Sequence, residues 1–286
     1  METIEDHPVT LPISVAEYLD EWIQAPPGGT FYVDLDRGSV EVTEHEFDRI
    51  HVRADARGWG SHLVSFHLDR RGDDAELEVD IDSWLAALVP GTRVHVEIAL
   101  PAGWSVDIRT AGGNVLVAGI SGAVTAQTGG GSVSVHRVCG SARLQTSGGS
   151  ISVSELEGNL RGQTGGGSIR ADDVAGRVEA RTAGGSIRLI TVDGPVEART
   201  GGGSIKVSFE DEPEGRLETA GGSIEVTFPE DAGCDLDART LSGNVRIEHR
   251  DLVTRERRRR HLVAEVNGGG PPLTLRTLGG SIRIKS

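Results

Sequence analysis

The chain has only two cysteines, Cys139 and Cys234, in 286 residues. So few leave no room for a disulfide framework. Long hydrophobic runs are missing as well. The longest, Trp84 to Val89, falls far short of the roughly 20 residues that span a bilayer. No apolar segment follows Met1 and the first basic residue is Arg37, so no secretory signal is expected. These absences point to the cytoplasm, with a surface location left open. Lysine is absent from residues 1–105, where 21 acids face 7 arginines, while residues 106–286 balance. The whole net charge of −14 therefore belongs to the N-terminal part, which argues against nucleic acid or anionic lipid as its partner.

What the chain has in abundance is glycine, 40 residues of it, regularly placed. A Thr-x-Gly-Gly-Ser-Ile stamp recurs with its Thr at Thr110, Thr128, Thr146, Thr164, Thr182 and Thr200, each interval being 18 residues. It continues with looser spacing at Thr219, Thr240 and Thr277. A fixed short period means one unit repeated and stacked. Within a unit, Ala142, Leu144 and Thr146 alternate with Arg143 and Gln145, and Ile151 and Val153 alternate with Ser150 and Ser152. Period-two alternation predicts two short strands per rung, each with one buried face. The small residues between them predict tight corners stacked along a parallel sheet. A rung this short encloses no core alone, so neighbours must stabilise it.

The expected fold is all-β: a parallel β-solenoid of about 18 residues per rung, preceded by a mixed or antiparallel β region with one short helix. A hexapeptide helix is set aside because stepping six from Ile151 reaches Glu157. A calcium-binding β-roll is set aside because the turns lack the ligating Asp.

Three segments are expected. Residues 1–27 carry a capping helix: Ser14 and Glu17 form a capping box, Val15, Leu19, Trp22 and Ile23 share a face, and Pro26-Pro27 stops it. Residues 28–105 form an acidic β region whose turns, such as Arg70-Arg71-Gly72-Asp73-Asp74, suit hairpins. There Asp36-Arg37-Gly38-Ser39-Val40 reads as a degenerate copy of the stamp. Trp59, Trp84 and Trp104 are expected in the core or at its end, with Trp84 a contact candidate if exposed. Residues 106–286 hold the repeats, interrupted at about 249–266 by an insertion containing Arg255-Glu256-Arg257-Arg258-Arg259-Arg260. No aromatics interleave with these arginines, so they read as a solvated edge that discourages strand pairing and not as a single-strand binder.

Catalytic signatures are sparse. Gly201-Gly202-Gly203-Ser204-Ile205-Lys206 lacks the order of a P-loop. His45 and His51, beside Glu46 and Asp48, follow a strand pattern and not a zinc-binding helix. The repeated serines, Ser150, Ser168 and Ser186 among them, read as a stacked hydroxyl ladder. Asp172-Asp173 is the only paired acid in the regular rungs, and a corner role accounts for it. No catalytic residue, cofactor or metal is expected.

The outward charges differ from rung to rung. Arg170, Arg188 and Lys206 are equivalent in three successive rungs, as are Arg181 and Arg199 on the other strand. Stacked like charges repel unless Glu179 and Glu197 lie beside them. They form a candidate binding stripe for an anionic polymer or an acidic protein surface, including that of another copy.

The rungs, with Gly28-Gly29-Thr30 leading into Asp34 to Val40 and Asn267-Gly268-Gly269-Gly270 leading into Leu273 to Ile282, resemble the bacterial putative-adhesin family of β-strand-repeat proteins over residues 28–286. That resemblance implies a β-repeat architecture of unknown function, with no ligand residues to carry over. The expected role is a non-enzymatic, adhesin-like binding or scaffolding module. The alternatives are a self-assembling structural protein resembling bactofilins and a polysaccharide-active β-helix enzyme. Arg283 and Lys285, read as the last strand, would oppose end-to-end stacking.

Overall fold

The computed structural model describes residues 17–26, 28–81, 91–249 and 251–285. They form no α-helix; strands dominate, in two mostly parallel sheets. The chain divides into two compact units at Gly131 and Ser132.

In the second unit each rung places one strand in each sheet. Ile151–Glu157 pairs in parallel with Ile169–Ala175, and that with Ile187–Asp193; across the rung, Ala142–Thr146 pairs with Leu160–Thr164 and so on. Registers are one-to-one, so Ile151, Ile169, Ile187, Ile205 and Ile224 form a single buried column. Each such aliphatic side chain contributes about 1.5–3 kcal/mol by leaving water, and stacking supplies the neighbours that one rung lacks.

The stamp residues join successive rungs. Thr200 Oγ1 donates to the Gly185 carbonyl of the preceding rung at 2.7 Å and accepts the Gly203 amide of its own turn at 3.2 Å. The same pair of bonds recurs at Thr164, Thr182, Thr219, Thr240 and Thr277. Glycine is needed at the turn's third position because rungs touch there. A Cβ on Gly185 would sit 2.0 Å from the Gly167 carbonyl oxygen. The serines form the expected ladder: the Ser186 amide donates to Ser168 Oγ and the Ser204 amide to Ser186 Oγ, each at 3.2 Å.

At the other corner the backbone turns left-handed without glycine. Arg137, Glu155, Asp173 and Thr191 have φ of 52°, 55°, 60° and 54°. The sequence pattern carries no sign of this column.

Rung order departs from chain order. Pro272–Thr277 lies between Gly215–Thr219 and Cys234–Thr240, and Ile282–Lys285 lies between Ile224–Thr227 and Val245–Glu248. The rung that comes last in the sequence is therefore inserted between two earlier ones. Arg283 and Lys285 do not guard an end of the stack. The Arg-rich insertion forms a hairpin, Leu252–Arg258 with His261–Val266, that extends one sheet beyond Cys234–Thr240. Its outer strand is largely exposed and charged, which blunts an edge.

The first unit repeats this insertion. Thr30–Leu35 lies between Asp74–Ile81 and Ser105–Thr110, and Ser39–His45 between Arg93–Pro101 and Val115–Ala118. Leu35, not Asp36, stands opposite Thr110, so the degenerate stamp replaces its Thr with an aliphatic residue. Val64–Arg71 and Asp74–Ile81 form the antiparallel hairpin that the turn residues suggest. Trp104 is buried and its indole N–H donates to the Pro26 carbonyl at 2.8 Å, whereas Trp59 is 89 % exposed and not a core residue. Trp84 and the run to Val89 lie outside the described residues.

The N-terminal helix is corrected. Ser14 to Ala16 lie outside the described residues, but Tyr18–Gln24 is a strand, antiparallel to Arg49–Arg57. Cross-strand hydrogen bonding and β-favouring Tyr18, Trp22 and Ile23 override the local capping signal.

Candidate functional site

Strand alternation decides which second-unit side chains meet solvent. On Ile169–Ala175, Ile169 and Ala171 are buried while Arg170 points outward. Register then sets Arg170 beside Arg188 and Arg188 beside Lys206. Adjacent strands lie about 4.8 Å apart, so three cationic side chains project from neighbouring rungs of one sheet. Arg170 is held by Asp172 on its own strand, Nε to Oδ2 2.8 Å, and Lys206 Nζ lies 3.5 Å from Glu225 Oε1. Arg188 makes no ion pair among the described residues.

Arg181 and Arg199 share a column too, but on the other sheet. There the counter-charges close in. Arg181 Nη2 reaches Glu179 at 2.6 Å and Glu197 at 3.1 Å; Arg199 reaches Glu197 at 3.0 Å and Glu218 at 3.4 Å. The five residues thus divide between two sheets, and of these two columns it is Arg170–Arg188–Lys206 that keeps a cation without an ion-pair partner among the described residues.

The column also runs further than the 18-residue spacing suggests. Register places Glu225 next to Lys206, then Arg283 next to Glu225, then Arg246 next to Arg283. The inserted last rung brings Arg283 and Arg246 into line, and nothing in the spacing of the stamps reveals that order. Glu225 bridges the charges on either side: its carboxyl accepts from Lys285 Nζ at 3.1 Å. That hydrogen bond, with the charges of Lys206 and Lys285, holds Glu225 below the ordinary carboxylate range.

The remaining sequence candidates are accounted for by structure. Asp172 is the Arg170 partner, and Asp173 occupies the left-handed corner. The serines spend their oxygens on neighbouring backbone amides. Neither Cys139 nor Cys234 forms a disulfide. Among the described residues no group of three or more His, Cys, Asp or Glu is placed to hold a metal ion, and no helix is long and apolar enough to cross a membrane.

A stacked β-strand repeat with Thr and Gly recurring at the rung junctions defines the class of this protein. The chain belongs to the Toastrack DUF4097 family, whose model matches residues 31–285. No curated protein matches it. Similar solved structures include a putative cell adhesion protein from Clostridium sporogenes, 11% identical, covering 94% of this chain and 99% of that one, with a TM-score of 0.29. Two others are putative adhesins from Bacteroides fragilis and Parabacteroides merdae, each 11% identical over 94% of this chain and 96% of theirs, with TM-scores of 0.43 and 0.40.

Proposed function

We propose that this chain is a non-enzymatic binding module and that the Arg170–Arg188–Lys206 column is its contact for an anionic polymer. The observation that carries the reading is the in-register column itself, with Arg188 lacking a counter-ion among the described residues while Arg181 and Arg199 are neutralised. A linear polyanion would lie along successive rungs and release counter-ions as it docks. Asp172 and Asp173 are engaged in an ion pair and a corner, which favours binding over glycoside hydrolysis at that pair.

Dextran sulfate and poly-aspartate, titrated by anisotropy across a salt series, test this. Binding that weakens steeply with salt, and is abolished in Arg170→Glu/Arg188→Glu, is expected. Equal binding by that double variant and the parent overturns it.

A second reading is supported by the first unit. One of its sheets aligns Asp69, Glu76, Tyr32 and Asp107 in a row, with His67, Glu78, Asp34 and Arg109 in the next, where Arg109 pairs with Asp107 and the other acids leave the face net negative. That acidic face is complementary to the basic column of another copy. Sedimentation of the same variants distinguishes it: self-association that vanishes in the double variant supports docking between copies.

A further inference from the structure

The first unit carries a second outward cluster, unrelated to the stamp. Because Tyr18–Gln24 is a strand and not a helix, Tyr18, Asp20 and Trp22 emerge on one side while Leu19 is buried. Register places Trp22 opposite His51, Asp20 opposite Arg53 and Tyr18 opposite Asp55. The Trp22 and His51 rings stack with centroids 4.1 Å apart and planes 4° from parallel. His45 follows 6.1 Å from Trp22, and Phe47 lies 5.5 Å from His45. The Arg49 guanidinium sits 4.9 Å from the Trp22 ring centre, and that of Arg53 5.7 Å from the Tyr18 ring.

The polar groups between these rings are held in place. Asp20 accepts from the Tyr18 hydroxyl at 2.7 Å and meets His51 Nε2 at 2.7 Å. The His51 hydrogen bond, followed by that from Tyr18, keeps the Asp20 carboxyl below its ordinary range. It is therefore ionised at neutral pH. Yet Tyr18, Trp22 and Phe47 remain 49 %, 47 % and 59 % exposed.

Contiguous exposed rings mark recognition surfaces, since a folded chain gains nothing from leaving them wet. The charges here are mixed, with Arg49 and Arg53 set among Asp20 and Asp55, so a strongly charged ligand gains little. A ligand with an apolar face and a rim of hydroxyls fits both features. We infer that this face is a binding site for a neutral saccharide. Tyr18, Trp22 and Phe47 offer the ring surface they leave exposed to pyranose C–H groups, Asp20 accepts from ring hydroxyls, and Arg49 and Arg53 donate to them. Tyr18 and Trp22 stand four residues apart on one strand, about 13 Å, which spans more than a single sugar ring. Phe47 borders the same surface.

The test is a printed array of neutral glycans, followed by titration of the best-responding hexasaccharide with tryptophan fluorescence as the readout. Saturable binding is expected, weakened at least about tenfold by Trp22→Ala, equivalent to about 1.4 kcal/mol. Trp22→Phe keeps a ring and should recover part of it. Phe47→Ala, at an exposed turn, should also weaken binding while leaving the thermal midpoint unchanged, and Trp59→Ala should not weaken it. Binding should persist in high salt and in Arg170→Glu/Arg188→Glu, which separates it from polyanion capture. No saturable response on the array overturns the inference, as does Trp22→Ala and Phe47→Ala binding like the parent. A response lost in the Arg170/Arg188 variant also overturns it.

Discussion

Thr182 donates its hydroxyl to the carbonyl of Gly167, one rung earlier, at 2.8 Å. The same oxygen accepts the Gly185 amide at 3.2 Å, so one side chain satisfies two backbone groups on different rungs. Thr182→Val keeps the volume but strands both groups in a buried site. Leaving a buried polar group unsatisfied costs about 1–3 kcal/mol. Thr182→Ser keeps both bonds and loses one methyl, about 0.8 kcal/mol. Urea melts should therefore rank Val as clearly worse than Ser, the reverse of what side-chain volume alone would give.

The left-handed corner offers a stabilising change. Thr191 is β-branched and held at φ 54°, a conformation that costs about 1–2 kcal/mol in an ordinary residue. Asn tolerates it better. Thr191→Asn should raise stability by about 0.5–1 kcal/mol, seen as a thermal midpoint about 2–4 °C higher at the upper end. An unchanged or lower midpoint would show that the Thr191 side chain contributes something beyond its backbone.

The two thiols should differ in reactivity. Burial, with smaller effects from Asp235 and Glu212, pushes the Cys234 thiol up to about 12, while Cys139 is exposed. Iodoacetamide at pH 8 should label Cys139 in the native protein and reach Cys234 only after denaturation. A raised value in the fold favours the neutral thiol. The associated stability is complete below the unfolded value of 9.0 and is lost as pH rises towards 12. Alkaline melts of Cys234→Ala should lack that part of the decline.

Removing the inserted rung should be worse than trimming an edge. A chain stopped at Pro271 lacks Pro272–Thr277 and Ile282–Lys285, each of which bridges two strands. Limited proteolysis should then cut readily within residues 229–271 while residues 133–209 stay protected. Uniform protection would mean that the flanking rungs close onto each other.

Much of this was readable from one sequence because each stamp position has a single geometric job. Thr182 must bridge, Gly185 must leave space, and Ile187 must face inward, so all three recur at 18 residues. That same uniformity hides rung order, because any stamp fits beside any other. Spacing found Arg170, Arg188 and Lys206 but missed Arg283 and Arg246, which join the column only through the insertion. The capping box at Ser14 and Glu17 misled because pairing with Arg49–Arg57 outweighs a local helix signal. Trp22 consequently faces outward with Tyr18 and not inward with Leu19. Its grouping with His45, His51 and Phe47 is a tertiary product that no linear pattern announces.

The insertion of residues 272–285 between two earlier rungs also orders events during synthesis. When the ribosome has made the rung of Cys234–Thr240 and Val245–Glu248, the strands that will separate it from Gly215–Thr219 and Ile224–Thr227 do not yet exist. Four parallel strand edges, two in each sheet, must wait unpaired for residues 272–285 to emerge. The nascent chain is thus most prone to aggregate in the interval before residues 272–285 emerge, and a pause there would prolong that exposure.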